Sequence, residues 1–134
     1  MANWTSPKEG YVPSYQISAK PFATGSISVT HTAAKEIKFP FVTRWVQVTN
    51  TGTGDLRVGF SENGVNANPA ANSNYFLLET AAAAASPASS VRLELRCKSL
   101  FVRGDSASST VSVVAGLTDI LDLTSKLSGS EGVG

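Results

Sequence analysis

"VTNTGTGDLRVGFSENG", residues 48–64, carries the pattern of a β-hairpin. A valine-rich run enters Thr51-Gly52-Thr53-Gly54-Asp55, and Leu56, Val58 and Phe60 then alternate with Arg57, Gly59 and Ser61. Alternation of this kind lines one face of a pleated strand with apolar side chains. Glycine mixed with Asn, Asp and Thr supplies the backbone freedom a tight turn needs. The segment feeding the turn, "FVTRWVQVT" (41–49), is rich in β-branched and aromatic residues that suit a half-buried strand. The spacing predicts Val42, Val46 and Val48 on one face and Thr43, Trp45 and Gln47 on the other. Leu56, Val58 and Phe60 are expected to form the inward face of the next strand.

The same reading extends along the chain. Residues 1–14, punctuated by Pro7, Gly10 and Pro13, lack periodicity and read as an extended arm. Tyr15, Ile17 and Ala19 alternate, "KPFATG" (20–25) reads as a turn, and Ile27, Val29 and His31 alternate after it. Ile37 and Phe39 lead to Pro40. "SENGVNANPAANS" (61–73) has the composition of a long surface loop, and "NYFLLE" (74–79) that of a short strand. "TAAAAASPASS" (80–90) is expected to be a second exposed loop, because Ser86-Pro87 ends any alanine helix and no amphipathic face holds one down. "SVRLELRCKS" (90–99) shows the cleanest alternation, with Val91, Leu93, Leu95 and Cys97 inward and Arg92, Glu94, Arg96 and Lys98 outward. "LFVRG" and "TVSVVAGL" flank the turn "GDSASS" as two further strands. Beyond Thr118, the spacing of Ile120, Leu121, Leu123 and Leu127 fits one or two helical turns, and "SGSEGVG" is expected to be mobile.

About eight short strands without a long amphipathic helix predict an all-β chain. The expected organisation is an N-terminal arm (1–14), one β-sandwich (15–120) and a C-terminal tail (121–134). Strand spacing alone is compatible with a jelly roll or an immunoglobulin-like sandwich, and the lack of a Cys…Trp…Cys pattern disfavours the latter.

Composition narrows the function classes. The chain has 134 residues, 42% hydrophobic and 16% charged, with formal net charge +1 and no run of Lys or Arg. Nucleic acid is therefore not expected as its main partner. One cysteine excludes an internal disulfide framework and a cysteine-based zinc site. The polar start lacks an apolar signal core, and Ala81–Ala85 is too short to cross a bilayer, so a protein made in a reducing compartment, with no membrane span, is expected.

Residues that could carry chemistry find no companions. His31 is the single histidine and makes a poor metal site alone. Asp119 and Asp122 sit three apart, a spacing common in amphipathic turns. Gly104-Asp105-Ser106 resembles a hydrolase nucleophile turn, but His31 would have to serve as base with nothing to orient it. Cys97 alternates with apolar neighbours, the position of a small buried hydrophobe. Gly52 and Gly54 lack the lysine and helix of a phosphate loop. No catalytic set, metal or cofactor is expected.

Recognition features are more evident. Arg103-Gly104-Asp105 spells a tripeptide that integrin-type receptors read through its guanidinium and carboxylate, here at an expected hairpin tip. Gly-Asp is also ordinary turn chemistry. Asn3-Trp4-Thr5 is a glycosylation sequon with no secretory signal to expose it.

"VQVTNTGTGDLRVGFSENG" (46–64), "NYFLLE" (74–79) and "VRLELRCKSLFVRGDSASSTVSVVAGLT" (91–118) together resemble small β-sandwich structural proteins of virus particles. These are single jelly-roll penton or minor capsid proteins of large icosahedral DNA viruses, and phage head-decoration proteins. The similarity covers about residues 40–118 and includes no catalytic signature. It implies a jelly-roll, non-enzymatic virion subunit, assembled in the host cytosol, whose partners are other copies of itself and other capsid proteins. Trp4, Tyr11 and Tyr15 are then candidate assembly contacts in the arm. Trp45 is a candidate surface aromatic, or part of a second core layer. The competing expectation is a carbohydrate- or receptor-binding sandwich with Trp45, or Tyr75 beside the loop 63–74, as its platform.

Overall fold

The structure, a computed structural model, describes residues 19–66, 74–80, 88–89, 92–121, 129 and 131–133. Its elements are β1 (Lys20–Val29), β2 (Lys35–Lys38), β3 (Thr43–Asn50), β4 (Leu56–Gly59), α1 (Glu62–Val65), β5 (Tyr75–Leu78), β6 (Ala88–Ser89), β7 (Ser99–Gly104) and β8 (Ser109–Leu117). They form two four-stranded sheets, ordered β1-β8-β3-β6 and β2-β7-β4-β5, with every named pair antiparallel. First strand pairs with last, second with seventh, third with sixth, fourth with fifth. The chain is thus one long hairpin of strand pairs, wrapped until β8 meets β3 and β7 meets β4. That order is the jelly roll.

Alternation builds the core between the sheets. Val46, Val48, Val111, Val113 and Ala115 face Leu56, Val58, Leu100 and Val102, all buried. Phe22 meets Phe39 edge-to-face with ring centroids 5.2 Å apart, the arrangement that aromatic quadrupoles favour. Ile120, 1% exposed, closes the sandwich as the Val42 N–H donates to its carbonyl.

Two β-bulges account for most departures from strict alternation. "KPFATG" is part of β1 and not a turn. Thr24 pairs with Val113 and Ile27 with Val111, so β1 carries an extra residue, accommodated by Ser26 at φ 55°. The bulge lets Phe22 and Thr24 before it, and Ile27 and Val29 after it, all point inward. In β3, Thr43 pairs with Leu117 and Trp45 with Gly116, which makes Arg44 the extra residue. Thr43 therefore turns into the core, opposite to the face expected from its spacing with Trp45.

The 90–99 segment is the second correction. Leu93, Leu95 and Cys97 do face inward and Arg92, Glu94 and Arg96 outward, but only an isolated bridge joins Leu93 to Val46. The Leu95 N–H turns to the Leu93 carbonyl within its own segment, and the Thr43 hydroxyl takes over as donor to the Leu95 carbonyl and acceptor from the Cys97 N–H. Ala88 and Ser89, expected in a loop, pair with Asn50 and Thr49 as β6. Phe60 falls just past β4 and is half-buried, and a four-residue helix, α1, occupies part of the expected 61–73 loop. Within the end read as mobile, the Val133 carbonyl accepts the Ser61 hydroxyl at 2.6 Å. The arm, Val91, Asp122, Leu123 and Leu127 lie outside the described residues.

Asn50 is the polar centre of the interior. Its amide donates to the Gly54 and Leu78 carbonyls at 2.8 and 2.9 Å, and its oxygen accepts from the Gly52 N–H and the Ser109 hydroxyl at 3.2 and 2.7 Å. Both donors and both lone pairs are used. Asn50→Ala leaves these buried partners unpaired and is expected to cost about 3 kcal/mol or more, read as a shift in the urea midpoint. Cys97 supplies a pH test. Burial pushes its thiol from 9.0 up to about 11, with the Thr43 hydroxyl opposing. The native state thus keeps a proton that the unfolded chain loses first. This contribution is complete below about pH 9 and lost as pH rises to about 11, up to roughly 2–3 kcal/mol. Thermal melts should show that alkaline loss, and Cys97→Ala should flatten it.

Candidate functional site

The Arg103-Gly104-Asp105 tripeptide spans the end of β7 and the first residue after it, and its charges are engaged within the fold. The Arg103 Nε donates to the His31 carbonyl at 3.0 Å, and its Nη1 to the Asn66 carbonyl and side-chain oxygen at 3.0 and 2.9 Å. Gly104 is buried, and its N–H donates to the Thr30 carbonyl. The Asp105 carboxylate accepts the Arg57 Nε at 2.7 Å. The exposed part of the turn is Ser106 to Ser108.

Arg57 and Arg103 are directly opposite in the β4–β7 ladder, on the outer face of the second sheet. Like charges so placed repel, and the surroundings answer with oxygen atoms. Arg57 donates to Asp105 and, at 3.3 Å, to the Val65 carbonyl, while its guanidinium lies 4.7 Å from the Tyr75 ring centroid. Arg103 takes the next carbonyl, that of Asn66. The carbonyls at the C-terminal end of α1, which lack intrahelical partners, are thus met by the two cations. α1 itself starts on Ser61, whose hydroxyl accepts the Gly64 N–H, an ordinary N-cap. It lies so close to the sheet that a Cβ at Gly59 would sit 2.8 Å from Val65 Cγ1. The pair therefore clamps the loop after β4 to the sheet. Arg57 and Asn66 were not singled out in the sequence; the outward parity of Arg57 and Arg103 was visible there, but not that β4 and β7 are neighbours.

The outer face of the first sheet has a different character. Its registered rows read Pro21–Gly116–Trp45, Ala23–Val114–Gln47, Ser112–Thr49 and Ser28–Thr110. None of these residues is charged. Trp45 lies on this outer face, half-buried, and is not part of a second core layer. Its indole covers Gly116, where a Cβ would collide with the ring and with Ala19. Val114 stands beside it at 38% exposure, and a shallow open depression of about 320 Å³ between Ala23, Gly25, Thr49 and Val114 continues the face. Trp4, Tyr11 and Tyr15 lie outside the described residues.

The other candidate residues are dispersed. His31 is exposed two residues beyond β1, Asp119 pairs with Lys20, and Cys97 is a buried free thiol. Among the described residues no group of three His, Cys, Asp or Glu side chains is placed to hold a metal ion, and no helix is long and apolar enough to cross a membrane. Gly52 and Gly54 belong to the β3–β4 turn. Tyr75 has its ring beneath Arg57, which covers one face of that candidate platform. Comparison with known protein families, curated proteins and solved structures finds no match for this chain.

Arg103→Ala removes charged hydrogen bonds to two loop carbonyls and is expected to destabilise by about 1–3 kcal/mol. It should also speed protease cleavage within residues 60–66. Arg103→Lys should not rescue, because an ammonium cannot span His31 and Asn66 as the guanidinium fork does.

Proposed function

We propose that this protein is a non-enzymatic structural subunit of a virus particle, acting by lateral self-assembly and by packing against other capsid proteins. The observation that carries the proposal is the outer face of the β1-β8-β3 sheet, whose paired rows hold small uncharged side chains anchored by Trp45, with charge at the margin in Lys20, Arg44, Arg92, Glu94 and Arg96. A sheet face bordering only water ordinarily carries charged residues on its outward positions, as the second sheet does with Glu36, Lys38, Arg57 and Arg103. A large aromatic such as Trp45, set among rows where no charge has to be desolvated, suits a packed contact between subunits. The jelly-roll order is compatible with this reading, since capsid domains use it, as lectin domains also do. The resemblance of residues 40–118 to virion jelly rolls agrees with it.

Light scattering on the purified chain across a concentration range tests this directly. A discrete closed oligomer is the expected result. Val114→Lys, which places a charge in the centre of the uncharged face, should break that oligomer into smaller species without lowering the β signature in circular dichroism. A monomer at every concentration overturns self-assembly.

A further inference from the structure

Each sheet ends in two edge strands, and an edge offers unpaired N–H and C=O groups to any extended chain. Three of the four edges here carry a feature that discourages such pairing. β1 contains Pro21, which has no N–H, and the bulge at Gly25–Ser26. β2 reads Lys35-Glu36-Ile37-Lys38, and β6 is two residues long. β5 has none of these features. Tyr75-Phe76-Leu77-Leu78 is uncharged, lacks proline and glycine, and keeps unbroken register with β4 over all four residues. Leu77 projects from its outer face at 43% exposure. Among the described residues, the Asn50 amide reaches the Leu78 carbonyl at the end of β5, and no backbone–backbone hydrogen bond reaches β5 from outside β4.

We propose that β5 is a pairing edge and that its occupant is β5 of a second copy, antiparallel across a twofold axis. The two β2-β7-β4-β5 sheets would then join into one of eight strands. Charge argues for a second copy over another partner. A twofold contact sets each residue against itself or its near neighbours, so any charge on the strand meets its like. β5 avoids that conflict where β2 does not. One strand further in, Arg57 is already neutralised by Asp105, so it does not oppose the approach of its own copy. Leu77 would bury its exposed side chain against the equivalent strand. This contact rests on the assembly reading above and adds a second interface to the uncharged face.

Light scattering of wild type and of Leu77 variants is the test, with circular dichroism to verify folding. Leu77→Glu should halve the mass of the wild-type assembly, since twofold partners separate. Leu77→Lys should do the same, which excludes a new pairing with Arg57 as the cause, and Leu77→Thr should keep the wild-type mass. If both charged variants keep the wild-type mass, the β5 contact is overturned while the assembly reading stands. A wild-type monomer at every concentration overturns both. Should the charged variants fail to fold, hydrogen exchange on the wild type decides. Amides of residues 75–78 are expected to exchange about tenfold more slowly in the assembly than in the dilute chain, and no dependence on concentration overturns the contact.

Discussion

The carboxamide of Asn50 is the interaction on which the closing of the sandwich depends. It sits at the end of β3 in one sheet, yet one of its donors goes to Leu78 in the other. Its remaining contacts hold the β3–β4 turn and the first residue of β8. A buried amide is costly when a partner is missing and rigidifying when all are present. Here the set is complete, and the geometry of the turn follows from it. Asp55 extends the same network, accepting the Thr80 N–H with its carboxylate and the Asp105 N–H with its carbonyl. The exit of β5, the β3–β4 turn and the β7–β8 turn are thereby gathered at one end of the molecule.

From that end the two outer faces diverge. On the second sheet, two opposed arginines are tolerable because α1 presents carbonyl oxygens and Asp105 a carboxylate to them. The Arg-Gly-Asp tripeptide belongs to this internal network: its cation fixes a loop and its anion neutralises a neighbouring arginine. On the first sheet the outward rows hold no charge, and Trp45 rests on a glycine that must lack a side chain.

Much of the fold was legible in the sequence because period-two alternation reports directly on burial. Val42, Val46 and Val48 were placed on one face and Leu56 and Val58 inward from spacing, and all five are buried. The hairpin expected at 48–64 is instead a crossing between sheets, with β3 in one and β4 in the other, and two further errors share one cause. A bulge adds a residue and reverses the phase of everything beyond it, so Thr43 was placed outward and Lys20–Gly25 was read as a turn. Alternation also does not guarantee a ladder: residues 92–97 alternate, yet the inward hydrogen bond of Leu95 to Leu93 breaks their pairing. Of the candidate site, Trp45 was located on its correct strand, with its side left open. The Arg57–Arg103 clamp was not found, because its members are 46 positions apart and become neighbours only through strand order.

By itself the sequence determined the all-β class, the approximate position of most strands and part of the core, since each follows from local periodicity and turn chemistry. It also showed that charge is sparse. Tertiary structure alone decided which strands are neighbours, and with that the jelly-roll order, the uncharged rows of the first sheet and the place of β5 at a sheet edge. The physical reason is that strand pairing is non-local: outward side chains become a surface only when ladders between distant segments set them side by side.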